Sequence, residues 1–211
     1  DTESVLDSTS IDVVIVGANP ALSKTYYASA WDPNSDPEAP DCQSIGGEVP
    51  DHDVVDRQSE NCALCRHNQW GSKISPNGAE TKACSDQKRL AVVSADDPSG
   101  PIYLLSVTPA ALKGLNKYQK ELAMRGIPPE VVKTRISFDT DASFPKLVFG
   151  FAGFISEAEQ AVVDTLFGSP QVEEITGESR AKQEAVFAEQ GVTKPAAKGG
   201  KAAKPAAKPA P

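Results

Sequence analysis

The chain is poor in the residues that build most catalytic centres and most membrane spans. It has two histidines (His52 and His67), one methionine and two tryptophans, and aromatics make up only 6% of its 211 residues. Two histidines leave little for imidazole-centred acid–base chemistry, and no motif sets out a Ser/His/Asp or paired-carboxylate arrangement. Both histidines read as surface residues, although either has the chemistry to replace a thiolate as a metal ligand. No apolar run approaches the roughly 20 residues of a spanning helix, and no leader with a charged start and apolar centre is present. These absences predict a soluble, intracellular protein that is not an enzyme. At this length it is expected to form one domain with appendages.

A phosphate loop is excluded as well. The stretch GANPALSKT starts at Gly17, but Leu22, Ser23 and Lys24 stand where a Gly-Lys-Ser/Thr triplet is required. Net positive charge is also missing. The formal charge is −8, and the segment from Lys194 to Pro211 holds five of the 21 basic residues and no acid. The rest of the chain therefore carries 16 basic against 29 acidic groups, a net of −13. An acidic body argues against the usual phosphate-gripping duplex binder. A local basic groove survives, because salt screens exposed charges beyond about 10 Å.

What the chain does contain falls into stretches with distinct periods. Residues 1–10 read as a flexible lead-in. The β-branched run 11–16 predicts a strand, GANP a turn, and SKTYYASAW a second strand. Residues 32–60 are rich in Pro, Asp and Gly without any period and predict a long loop, which inside a domain needs a function or a staple. KRLAVVS (88–94) and PIYLLSVTP (101–109) predict two more strands. Thr108-Pro109 then signals the start of a helix carrying Leu112, Leu115 and Leu122 and stopping at Arg125-Gly126. Residues 131–138 and 146–154 predict a strand pair. Ser156 with Glu159 forms a capping box ahead of AEQAVVDTLFG. A short helix is predicted at about 179–190, within a segment 179–193, and the Lys/Pro/Ala run 194–211 predicts disorder.

The predicted fold is thus mainly β with a few helices. Residues 11–178 are expected to form a partly open Greek-key barrel of the oligonucleotide-binding (OB-fold) kind, with a split α+β sheet as its rival. A Cys-bearing insertion at about 32–88 interrupts it.

All four cysteines, Cys42, Cys62, Cys65 and Cys84, lie in that insertion, spaced Cys-x19-Cys-x2-Cys-x18-Cys. A loop of this size has too few apolar residues to order itself by burial, whereas a metal can order it outright. Four thiolates favour zinc over magnesium or calcium, in a closed structural site. Three alternatives stay open. Disulfides lack a secretory signal, a redox dithiol lacks the βαβ setting, and an iron–sulfur cluster would use the same four sulfurs.

Near the cysteines the local charge reverses. Arg66, Lys73, Lys82, Lys88 and Arg89 outnumber Glu80 and Asp86 between Cys62 and Leu90. Trp70 sits among them, and Lys24, Tyr26, Tyr27 and Trp31 share the early strand pair. Aromatic faces that stack bases, beside cations that follow a backbone, are what single-strand binders use. Tyr26 and Tyr27 must point to opposite faces of a regular strand, so at most one of them would face a groove.

Taken together, DCQSIGGEVPD, CALCRHNQWGSK, KACSDQKRLAVV, LLSVTPAALKGLNKYQKEL and VVKTRISFDTDASFPKLVFGF resemble a family of tailed-bacteriophage proteins across roughly residues 11–177. The resemblance implies a zinc-containing, single-stranded DNA-binding protein of phage replication or recombination. Such a protein would work in the cytoplasm of the infected bacterium, alongside phage replication proteins and away from membranes. It places the four cysteines at the family's Cys positions, and Trp70-Gly71-Ser72 and Lys88-Arg89 at its aromatic and basic positions. The ending departs from the acidic tail common in single-strand binders, and its lysines would add salt-sensitive, non-specific affinity.

Overall fold

The computed structural model of the chain describes residues 9–178, apart from residues 30, 31, 33, 35, 37, 76 and 77. The elements follow in the order β1 (Ser10–Ala18), β2 (Ser23–Tyr26), β3 (Cys42–Ser44), β4 (Lys73–Ile74), β5 (Glu80–Thr81), β6 (Cys84–Ser94), β7 (Tyr103–Val107), α1 (Pro109–Met124), β8 (Val132–Phe138), β9 (Leu147–Phe154), α2 (Glu157–Leu166) and α3 (Pro170–Thr176). Seven strands form one antiparallel sheet, in which β3, β2, β6, β1, β8 and β9 are successive neighbours and β7 also pairs with β6. β4 and β5 form a separate two-stranded ribbon. Among the described residues the protein is mainly β with three α-helices, and no closed barrel is present.

Strand β6 organises the sheet. Its first residues, Cys84–Gln87, pair with β2, and Leu90–Ser94 pair with β1. β7 lies antiparallel to Lys88–Val92. Val13–Val16 of β1 and Leu90–Val93 of β6 are unbroken apolar runs, not alternating ones, because both of their faces are covered. On one face Val13, Ile15, Leu90 and Val92 meet Ala111, Leu115, Tyr118 and Leu122 of α1. Those four α1 residues are spaced so that they form one helical stripe. On the other face Val14, Val16, Ala91 and Val93 meet Val163 of α2 and Val172 of α3.

The helix starts are written in the sequence. The Ser156 hydroxyl accepts a hydrogen bond from the Glu159 N–H at 3.3 Å, and the Glu159 carboxylate accepts one from the Ser156 N–H at 2.6 Å. Together they complete the expected capping box. α1 starts at Pro109 after Thr108, whose hydroxyl makes no capping bond. It ends as Gly126 takes a positive φ. Tyr118 is buried in the core and shares a 2.8 Å hydroxyl–hydroxyl bond with Thr134 on β8.

Several expectations are corrected. β6 begins at Cys84, ahead of the predicted start at Lys88, because its polar first half is paired to β2. The loop expected over 32–60 contains β3. α3 is absent from the predicted elements, although Ser169-Pro170 repeats the start signal seen at Thr108-Pro109 and the Ser169 side chain accepts from the Val172 N–H. The second predicted strand also proves short, ending at Tyr26. The helix expected at 179–190, the lead-in 1–8 and the tail 194–211 lie outside the described residues.

Candidate metal centre and its surface

Register sets the outer two cysteines on either side of one residue. Tyr26 on β2 pairs with Cys42 on one side and Cys84 on the other. Directly opposed residues share a rung, so the three side chains lie on one face of the sheet. The inner two cysteines reach the same place through a tight turn. The Cys65 N–H bonds the Cys62 carbonyl at 3.3 Å, and the Asn68 side-chain amide bonds the same carbonyl at 2.8 Å. The Gln69 side-chain amide bonds the carbonyls of Ala63 and Cys65 at 2.9 and 3.1 Å. All four cysteines line one small cavity of about 20 Å³, together with Tyr26, His67, Asn68 and Lys24.

Two observations define this cluster. All four cysteines are free thiols, and Cys62, Cys65 and Cys84 are buried. Burial pushes the Cys84 thiol up to about 11, and the neighbouring Cys62 and Cys65 add to the rise. The Cys62 thiol is also raised, first by burial and further by Cys42 and Cys65, against a lowering hydrogen bond from Ser44. As the side chains stand, however, no three His, Cys, Asp or Glu residues among those described are grouped to hold a metal ion. Cys42 and Cys84 are two strand spacings apart across Tyr26, roughly 10 Å between Cα atoms. A tetrathiolate site holds each sulfur about 2.3 Å from the metal. The donor set therefore fits a soft dication, and the two outer thiols would have to draw inward to close on it.

The segment carrying Cys42 is anchored by polar bonds and close approaches more than by apolar burial. Asp51, only 2% exposed, accepts from the Ile45 N–H at 2.9 Å while its own N–H bonds the Gln43 carbonyl at 2.9 Å. The Cys62 N–H bonds the Glu48 carbonyl at 2.8 Å, tying the turn to this loop. Gly47 (φ +81) and Gly177 (φ +78) lie in the left-handed region, which glycine enters without steric cost. Space forbids a side chain at either one. A Cβ on Gly47 would come within 2.2 Å of the Leu22 carbonyl oxygen, and one on Gly177, just past α3, within 2.1 Å of Ile45.

The predicted nucleic-acid residues divide into two groups. Lys24, Lys82, Lys88 and Arg89 are engaged within the fold. Lys24 and Lys82 both pair with Asp86, Lys82 at 3.0 Å, and Lys82 also bonds the Asn68 side-chain oxygen at 3.2 Å. Burial opposes ionisation of Asp86, but the two lysines outweigh it and hold its carboxyl below the usual range. Lys88 donates to the Asn19 carbonyl and its pKa is lowered by burial. Arg89 donates to the Ile175 carbonyl at 2.7 Å. That carbonyl lies near the C-terminal end of α3, where a cation is favoured. Tyr26 is half-buried and stacks on His67 with ring centroids 4.1 Å apart. Burial, and then Arg66, push the His67 pKa down, which favours a neutral ring in this stack.

The second group faces solvent. Trp70 is 74% exposed, with the Lys82 ammonium 5.9 Å from its ring centre. Tyr27 is 51% exposed, and Arg66 and Lys73 are exposed too. Trp31 lies outside the described residues. Two side chains that the sequence does not single out belong beside this group. Leu64, at the tip of the Cys turn, is 82% exposed, and Ile74 on β4 is also exposed. An apolar residue between two cysteines was the available signal for Leu64. No described helix is long and apolar enough to cross a membrane. No protein-family model, no curated protein and no solved structure matches this chain.

Proposed function

We propose that Cys42, Cys62, Cys65 and Cys84 hold a structural zinc ion, and that Trp70, Arg66, Lys73 and Tyr27 form a surface for single-stranded DNA beside it. The observation that carries this reading is the convergence of four free thiols from β3, β6 and the Cys62–Cys65 turn on one cavity, a few residues from an exposed tryptophan. Zinc, when bound, would supply folding energy to a region short of apolar contacts. Trp70 would stack on a base, an interaction worth about 1–3 kcal/mol. Lys82, held by Asp86 and Asn68, fixes a cation over the ring, and Arg66 and Lys73 would meet phosphates.

A partly open OB-like barrel is the finer form of this fold reading. Its support is β6, a single long strand shared by three partners. The resemblance to tailed-phage proteins supports a role in phage DNA replication or recombination, in the host cytoplasm and without catalysis. Protein partners in replication would follow from that role.

Titrating a labelled oligo-dT at low and moderate salt tests the binding. Affinity that falls with salt and drops on Trp70→Ala is expected. No binding at low salt would sink the nucleic-acid reading and leave the metal reading standing. A second reading, a zinc-stabilised protein-interaction or virion component, is favoured by a specific observation. Four of the candidate cations are already engaged inside an acidic body.

A further inference from the structure

We infer that β9 is a dimerisation edge, pairing antiparallel with β9 of a second copy of this chain. Among the described residues β9 pairs only with β8, so its other edge is open. Its sequence, Leu147–Phe154 (LVFGFAGF), has eight residues with neither charge nor proline. Proteins blunt open edges with charges, prolines, bulges or short strands. The other strands with a single neighbour in the sheet, β3 and β7, are three and five residues long. The one irregularity in β9 falls toward its end, opposite Lys133/Thr134, and Leu147–Phe151 pair regularly with Phe138–Thr134.

The surface around this edge is apolar on the face that α1 covers, while the opposite face carries Lys133, Arg135 and Ser137 of β8. Val132, Thr134, Ile136 and Phe138 are paired with Phe154, Phe151, Phe149 and Leu147, so these side chains share the face that α1 covers. Phe138, Phe151 and Phe154 remain exposed there, and Phe151 and Phe154 meet edge to face at 5.2 Å. Val148 is exposed on the opposite face. Gly150 and Gly153 have open space where a Cβ would stand, so the faces beside the edge are uncrowded at these two positions.

A second copy suits this edge through its charge pattern. Because β9 is uncharged, two antiparallel copies set no like charges opposite each other. The nearest flanking charges are Lys146 before the strand and Glu157 after it. Antiparallel pairing brings the Lys146 end of one copy toward the Glu157 end of the other. Lys146 also binds Asp139 of its own chain at 2.8 Å. A two-fold contact uses the same edge from each copy and therefore closes at two.

Sedimentation velocity on the full chain, from low to high micromolar, tests the inference. A monomer–dimer equilibrium is expected, and Val148→Lys and Phe151→Lys should each weaken it about tenfold or more. Tyr103→Lys on β7 should leave it unchanged. In the wild type, amide exchange over 147–154 should slow as concentration rises, a readout that needs no variant to fold. A chain that stays monomeric throughout, or a dimer indifferent to both folded variants, overturns the proposal. So does a dimer that forms only after residues 179–211 are removed, since that segment would then be the edge's occupant.

Discussion

The sheet body and the cysteine-bearing excursion between β2 and β6 are held by different forces. In the body, Val14, Val16, Leu90, Val93, Val107, Leu115, Val132 and Val163 are sealed from solvent, and helices cover both faces. In the excursion the buried residues include Asp51, Ser44 and the Cys62 and Cys65 thiols, and the apolar side chains Val55 and Leu64 are left outside. Burial holds the first together wherever its chain is apolar. The second depends on directed bonds, on two glycine contacts and, in our reading, on a metal. The two regions should therefore fail separately and under different insults.

The largest effect is expected in the body. Leu115→Ala leaves a cavity between α1 and the sheet and should cost about 2–5 kcal/mol, measured by urea denaturation, with the whole domain destabilised. Gly177→Ala should come next, at about 1–3 kcal/mol for the left-handed strain it introduces. It also drives a methyl into Ile45. Hydrogen exchange should place the loss around residues 43–51 and the end of α3. An equal loss across β1 and β8 would show that the two regions are not separable. Tyr118→Phe should cost about 1–2 kcal/mol, the penalty for a buried hydroxyl left short of its partner. Thr134 is the group that loses its bond.

The smallest effect concerns acid. Glu159 is held down to about 2, first by the Ser156 N–H and then by Lys133. A depressed carboxylate stabilises the fold above its ordinary pKa and loses that contribution as pH falls through the folded value. For Glu159 the window runs from 4.5 down to about 2. Glu159→Gln should flatten the stability profile between those values, read by denaturation at stepped pH. An unchanged profile would remove this capping box from the account of the acid limb.

Legibility in the sequence follows the same division. The apolar runs of β1 and β6, the leucine spacing of α1, the β8–β9 pair and the Ser156/Glu159 box are all visible because local pattern determines them. The early start of β6 is hidden because CSDQ gains its strand form from pairing with the polar β2, where Lys24 meets the distant Asp86. β3 is hidden for a similar reason, being three residues in a Pro- and Asp-rich stretch that become a strand only against β2. The spacing of the cysteines anticipates their gathering in one cavity, but not the intrusion of Tyr26 between two of them. Counting charges overstates the free cations, because Lys88 and Arg89 bind carbonyls of Asn19 and Ile175, which no sequence pattern marks as partners.

The separate origins of order in the two regions can be tested in one sample by pairing metal analysis with hydrogen exchange before and after chelation. The account predicts one zinc per chain and, on its removal, loss of protection confined to residues 42–84, with β1, β8 and α1 unchanged. A chain that carries no metal when purified without chelator, and whose 42–84 region exchanges alike with and without added zinc, would contradict it.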